Sequence, residues 1–234
     1  MLGRIRIKIL NEQLEKRNEL LYQIFGRYFS NDITEVILDN PEGASIGGEK
    51  KNVTILMADL RSFTPIAEKL EADSLTDMIN FFLGEMTEII FKWKGSIIEF
   101  IGDAILAVFG APMELECSEY NALKAALEMQ EAMSKVNEYN SENGYPELKM
   151  GIGINKGEVF IGNIGSNRMM RYNVMGNTVN LASRIEAVSK GGQILISKES
   201  IKDIEKKVAV REEITVTVKG ISKKVTVCEV IGIE

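Results

Sequence analysis

Residues Ile97–Gly110 read IIEFIGDAILAVFG, two apolar runs joined at Gly102-Asp103 with a single carboxylate, Glu99, set inside the first. Apolar runs on either side of a Gly-Asp pair signal a β-hairpin, and the turn alone accounts for Asp103. It does not account for Glu99. A carboxylate within an apolar strand is costly unless it meets water, a cation or hydrogen-bond donors, so that face is either solvated or binds something.

Outward from the hairpin, the pattern alternates strands and helices. Upstream, Val53–Ala58 is a continuous apolar run that reads as a buried strand ending at Asp59. Ser62, Thr64 and Pro65 are helix-start signals, predicting a short helix through Leu70. A longer amphipathic helix is expected over Leu75–Trp93, with Ile79, Phe82, Met86, Ile89 and Ile90 on one face and Gly95 ending it. Downstream, Pro112 closes the hairpin and a helix is expected over Glu119–Tyr139, followed by the Gly144-Tyr145-Pro146 turn. Leu148–Asn155 and Val159–Ile164 read as a strand pair about Lys156-Gly157, Tyr172–Met175 as a short strand, and Thr178–Ser189 as a helix starting near Asn177. Gln193–Ser197, Ile214–Lys219 and Lys224–Ile231 supply the remaining strands. The order predicts an α+β sandwich with its sheet covered on one face. Ahead of it, Ile7, Leu10, Leu14, Arg17, Leu21, Ile24 and Tyr28 follow a 3-4 spacing. Such a narrow stripe pairs with its copy in a second chain or lies against the main domain, and pairing is the expectation. Residues 1–49 therefore read as a coiled-coil signalling helix and linker, the linker being NPEGASIGG at 40–48, and residues 50–234 as the main domain. Gly47-Gly48-Glu49 does not continue into a diguanylate cyclase signature.

Composition removes several function classes. The formal charge of −6 argues against general nucleic-acid binding, which needs a basic excess. Histidine is absent, which removes Ser-His-Asp chemistry, histidine bases and histidine metal ligands. Cys117 and Cys228 are isolated from any CxxC pattern, so a disulfide framework or zinc site is not indicated. Any metal must be held by oxygen, favouring magnesium or manganese. No apolar run approaches a membrane span, and the chain as given reads as cytosolic, any membrane tether lying in a region upstream of it.

Asp59 at a strand end and Asp103 at a hairpin tip sit where an α/β layer brings turns to one sheet edge. Singly, a helix cap and a turn explain them; converging, they would hold magnesium against phosphate oxygens. Leu60-Arg61-Ser62-Phe63-Thr64, opening the next helix, would aim free N–H groups at an anion. Farther on, Asn180 and Arg184 lie four apart on one helical face. A solvated face explains Arg184 alone; the alternative is a guanidinium meeting charge on a phosphate, with Lys219 a weaker candidate for the same task.

These residues resemble the class III nucleotide cyclases. The resemblance covers about Lys51 to Ile233 and rests on MADLRSFT, FIGDAILAVFG and GNTVNLASRIE in the family's order and spacing. It implies a ferredoxin-like sandwich related to the polymerase palm, working as a head-to-tail homodimer with sites at the interface and an upstream sensor feeding the coiled coil. By resemblance Asp59 and Asp103 are the aspartates for two Mg2+ or Mn2+ ions, with the Leu60 carbonyl lent to one of them. Ser62, Phe63 and Thr64 face the phosphates. From the partner chain, Asn180 orients the ribose, Arg184 stabilises the transition state and Lys219 binds the triphosphate. The implied reaction is in-line attack of the ribose 3′ hydroxyl on the α-phosphate, releasing pyrophosphate.

The departures concern the base. Adenylate-forming relatives usually have lysine at the position of Glu99 and aspartate or threonine at that of Asn173; guanylate-forming ones usually have glutamate and cysteine. Guanine presents two donors beside a carbonyl, which Glu99 and the Asn173 amide can match, whereas adenine would set a ring acceptor against Glu99. GTP is therefore the expected substrate, ATP the near alternative, and a non-catalytic nucleotide-sensing dimer the reading from another class.

Overall fold

Residues 6, 10–20, 46–166, 168–216 and 224–234 are described in the computed structural model. They fall into two units, 1–45 and 46–234. In the first, residues 10–20 are helical, and the Leu10, Leu14 and Leu20 side chains are more than half exposed (55, 59 and 55%). Ile7, Leu21, Ile24 and Tyr28 of the expected seam lie outside the described residues.

The second unit is a mixed α+β sandwich. Its elements are β1 (Gly47–Leu60), α1 (Phe63–Ala67), α2 (Ala72–Lys92), β2 (Gly95–Ile101), β3 (Ala104–Phe109), α3 (Ser118–Glu142), β4 (Met150–Ser166), β5 (Met169–Met175), α4 (Asn177–Val188), β6 (Ile194–Ser197), β7 (Val208–Val216) and β8 (Val225–Ile233). The sheet order is β2-β3-β1-β4-β6-β8-β7, with β5 paired to β4. The β4–β6 pair is parallel, and α4 lies in the connection between them.

Alternation in β1 shows why this strand is central. Leu56, Ala58 and Leu60 join the large core with Met78, Phe82 and Met86 of α2 and Leu123 and Met129 of α3. Val53, Ile55 and Met57 point the other way, to a second core that includes Ala182 of α4. The sheet is thus covered on both faces, not on one. A continuous apolar run, unlike a hydrophobic-polar alternation, is the pattern of a strand buried on both sides.

Several boundaries differ from the sequence expectation, two of them because of close packing at a glycine. β4 is one strand of 17 residues, where a strand pair about Lys156-Gly157 was expected. Gly157 pairs with Val53 in the ladder, and a Cβ there would lie 2.8 Å from Thr178 Oγ1, so this glycine admits the start of α4 and does not turn the chain. β1 begins at Gly47, so the last glycines of the expected linker are ladder residues; a Cβ on Gly48 would meet the Ile161 carbonyl at 2.6 Å. The helix expected through Leu70 stops at Ala67, and α2 begins earlier than Leu75, at Ala72.

α4 presses directly on β4. A Cβ on Gly153 would stand 2.2 Å from the Glu186 amide nitrogen, and one on Gly151 would stand 2.4 Å from Arg61 Nη2. The small residues of MGIGIN therefore let a helix backbone and a guanidinium lie flat on the strand.

Candidate active site

Asp59 is the next-to-last residue of β1, and Asp103 occupies the turn between β2 and β3. Gly102 takes the left-handed conformation (φ 65°) that this turn needs, which leaves Asp103 free to direct its carboxyl inward. Register brings the two aspartates to the same sheet edge, since Ala58 pairs with Ile105. Burial first, and then the neighbouring Asp59, push the Asp103 carboxyl up from 3.8 to about 6, while backbone N–H groups of Asp103 and Leu60 act in the opposite direction. Among the described residues no group of three or more His, Cys, Asp or Glu side chains gathers as a metal cage. A lone pair of carboxylates fits Mg2+ or Mn2+, which keep much of their oxygen shell for water and substrate phosphates.

Metal binding needs both carboxylates deprotonated, so Mn2+ affinity is expected to fall by about tenfold per pH unit below about 6. Titration of Mn2+ by electron paramagnetic resonance between pH 5 and 7.5 checks this, and a flat profile would refute the raised proton affinity of Asp103. Stability of the metal-free protein runs the other way. The folded carboxyl keeps a proton that the unfolded chain has released, so this group's contribution is lost as pH rises through the interval from 3.8 to about 6.

The chain beyond Asp59 turns sharply. Ser62 is left-handed (φ 57°), a conformation costing a non-glycine residue about 1 kcal/mol or more. Phe63 and Thr64 follow in the first turn of α1, where a helix leaves N–H groups without helical partners. Arg61, Ser62, Ile66, Lys69 and Lys149 line an adjoining cleft of about 580 Å3.

Asn180 and Arg184 lie elsewhere. With Asn155, Asn177, Lys198 and Lys224 they line a cleft of about 760 Å3 that contains neither aspartate. Lys219 lies outside the described residues. One chain therefore carries two separate groups of polar residues, the aspartate pair and the Asn180–Arg184 face.

Glu99 follows a bulge in β2 and has its side chain 38% exposed. Its Oε1 accepts from Arg171 Nη1 at 2.8 Å. The sequence condition for a carboxylate in this strand is met twice, by water and by a cation. Arg171 was not singled out by motif; the available signal was its place two residues before Asn173 in β5, hence on the same face of that strand. Asn173 Oδ1 accepts from the Val174 amide at 2.7 Å, so its NH2 end is the one left for a ligand.

A sequence model of the adenylate and guanylate cyclase catalytic domain matches residues 47–231. The chain belongs to this family. Its fold is that of the class III nucleotide cyclase domain. The crystal structure of the guanylyl cyclase Cya2 is similar at 40% identity with a TM-score of 0.79, covering 81% of this chain and 96% of that one. The adenylyl cyclase CyaB from P. aeruginosa is similar at 33% identity with a TM-score of 0.77, covering 81% and 98%. Among curated proteins, adenylate cyclase 1 of Rhizobium meliloti is 26% identical over 97% of this chain and 34% of its own length. The adenylate cyclase of Anabaena cylindrica is 34% identical over 77% of this chain and 36% of its own. This cyclase domain thus spans about a third of the length of those two curated relatives. Among its described residues no helix is long and apolar enough to cross a membrane.

Proposed function

We propose that this cyclase domain forms a head-to-tail homodimer that converts GTP to cyclic GMP and pyrophosphate. The observation that carries the choice of base is the Glu99–Arg171 pair beside Asn173. Arg171 holds Glu99 as a hydrogen-bond acceptor, and with Asn173 Oδ1 accepting from the Val174 amide its NH2 remains as the donor. Two acceptor oxygens and one donor match the two donors and the carbonyl on one edge of guanine.

In this reading Asp59 and Asp103, with the Leu60 carbonyl, hold two Mg2+ or Mn2+ ions. Bound there, the ions supply Lewis acidity and neutralise phosphate charge. The N–H groups of Ser62, Phe63 and Thr64 take phosphate oxygens. From the partner chain Asn180 orients the ribose so that its 3′ oxygen lies in line with the α-phosphate. Arg184 meets the charge that grows on that phosphate as the bond to pyrophosphate breaks. Lys219 of the same partner chain binds the triphosphate. Separation of the aspartates from the Asn180–Arg184 cleft supports a site built from two chains. The segment ahead of β1 acts as the signalling helix and linker that receive an upstream sensor.

ATP is the alternative substrate, and relatives bearing either name share this domain. Turnover of GTP and ATP with Mn2+ and Mg2+ decides between them; strong turnover of ATP alone overturns the guanine reading. In the double variant Glu99→Lys, Asn173→Thr, the ratio of kcat/KM for GTP to that for ATP is expected to fall by about ten- to a hundredfold. An unchanged ratio would show that these residues do not read the base. Absence of product from either nucleotide favours the nucleotide-sensing module.

A further inference from the structure

Arg61 joins the two groups of polar residues within one chain. Its backbone N–H donates to the Lys149 carbonyl at 2.7 Å, which pins it beside the start of β4. Its guanidinium then spans two elements. Nη1 stands 3.8 Å from Asp59 Oδ2, while Nη2 donates to the Glu186 carboxylate, to the Glu186 carbonyl at 3.2 Å and to Ser189 Oγ at 3.3 Å. Glu186 is nearly buried, at 7% exposure. The bareness of Gly151 makes the crossing possible, because a Cβ there would overlap the guanidinium.

The direction of these contacts matters. Glu186 follows Arg184 by two positions in α4, about 200° around the helix, whereas Asn180 and Arg184 are only about 40° apart. One side of α4 is therefore tied to the aspartate strand, and the far side presents Asn180 and Arg184 to their own cleft. Charge also matters. Arg61 lies between two carboxylates, and the bonds to Glu186 hold it there while its distance to Asp59 stays beyond hydrogen-bond range.

We propose that Arg61 and Glu186 form a positioning pair with two effects: Glu186 restrains a cation that would otherwise compete with metal for Asp59, and Arg61 fixes α4 so that Asn180 and Arg184 reach the partner's site. This rests on the two-chain reading of the site. In a homodimer the pair would tie the metal half of one site to the ribose and transition-state half of the other.

The two single variants are expected to move metal binding unequally and α4 alike. Glu186→Gln frees Arg61 to close on Asp59, so Mn2+ affinity of the nucleotide-free protein, read by electron paramagnetic resonance, is expected to weaken by about three- to tenfold. Arg61→Ala removes the competing cation, and Mn2+ affinity is expected to hold or tighten. Both variants release α4, so amide hydrogen exchange over Asn177–Val188 is expected to quicken and kcat to fall; Arg61→Lys restores part of the exchange protection. Equal weakening of Mn2+ binding in both variants, or no change in either readout, overturns the pairing. Neither readout needs turnover, so failure of the unmodified protein to cyclise any nucleotide would count against the functional reading and leave this test standing.

Discussion

Asp103→Ala is expected to lower cyclic nucleotide formation by at least about a hundredfold while the domain stays folded. The turn does not need the aspartate, because Gly102 supplies its left-handed residue. What the carboxyl contributes is half of a pair with Asp59, a half-buried arrangement that raises its proton affinity and favours neutralisation by a cation. Removing it relieves repulsion between like charges in the metal-free protein above pH about 6. Thermal unfolding without metal should therefore change little, while product formation and Mn2+ binding collapse. A variant that keeps a tenth of the activity would remove Asp103 from the reaction.

Mixed dimers are expected to recover activity that neither parent has. An Asp103→Ala homodimer lacks the carboxylate pair in both sites, and an Arg184→Ala homodimer lacks the guanidinium in both. If each site takes its aspartates from one chain and Arg184 from the other, a mixed dimer holds one complete site and one doubly defective site. Random exchange between equal amounts makes half of all dimers mixed, so about a quarter of the unmodified rate should return. The measurement is cyclic nucleotide formation before and after chain exchange, with exchange followed by energy transfer between labelled chains. Exchange without recovery would mean that Asp103 and Arg184 serve the same site of one chain. The cleft that holds Arg184 contains neither aspartate, which is why recovery is expected.

The hairpin carries the contrast between what was legible and what was not. Two apolar runs about Gly102-Asp103 determine a β-hairpin, because strand alternation and turn conformation depend on residues next to one another. The same local physics determined the buried strand before Asp59, the amphipathic stripe of α2 and the shared face of Asn180 and Arg184, and with the absence of histidine it limited metal chemistry to oxygen donors. Gly157 defeated the local reading, because a glycine that admits Thr178 looks no different in sequence from one that turns a chain. Arg171 and Arg61 were missed for a related reason. Their partners, Glu99 and Glu186, are distant in sequence, and an arginine meeting a carboxylate on another element leaves no periodic trace. The sequence by itself determined the interleaving of strands and helices and offered Asp59, Asp103, Asn180 and Arg184 as candidates for metal and phosphate chemistry. Only the tertiary structure decided that Asp103 is half-buried beside Asp59, that Glu99 is held by a cation and that α4 is tied to the aspartate strand, because each depends on strand register and helix packing between residues that no local pattern connects.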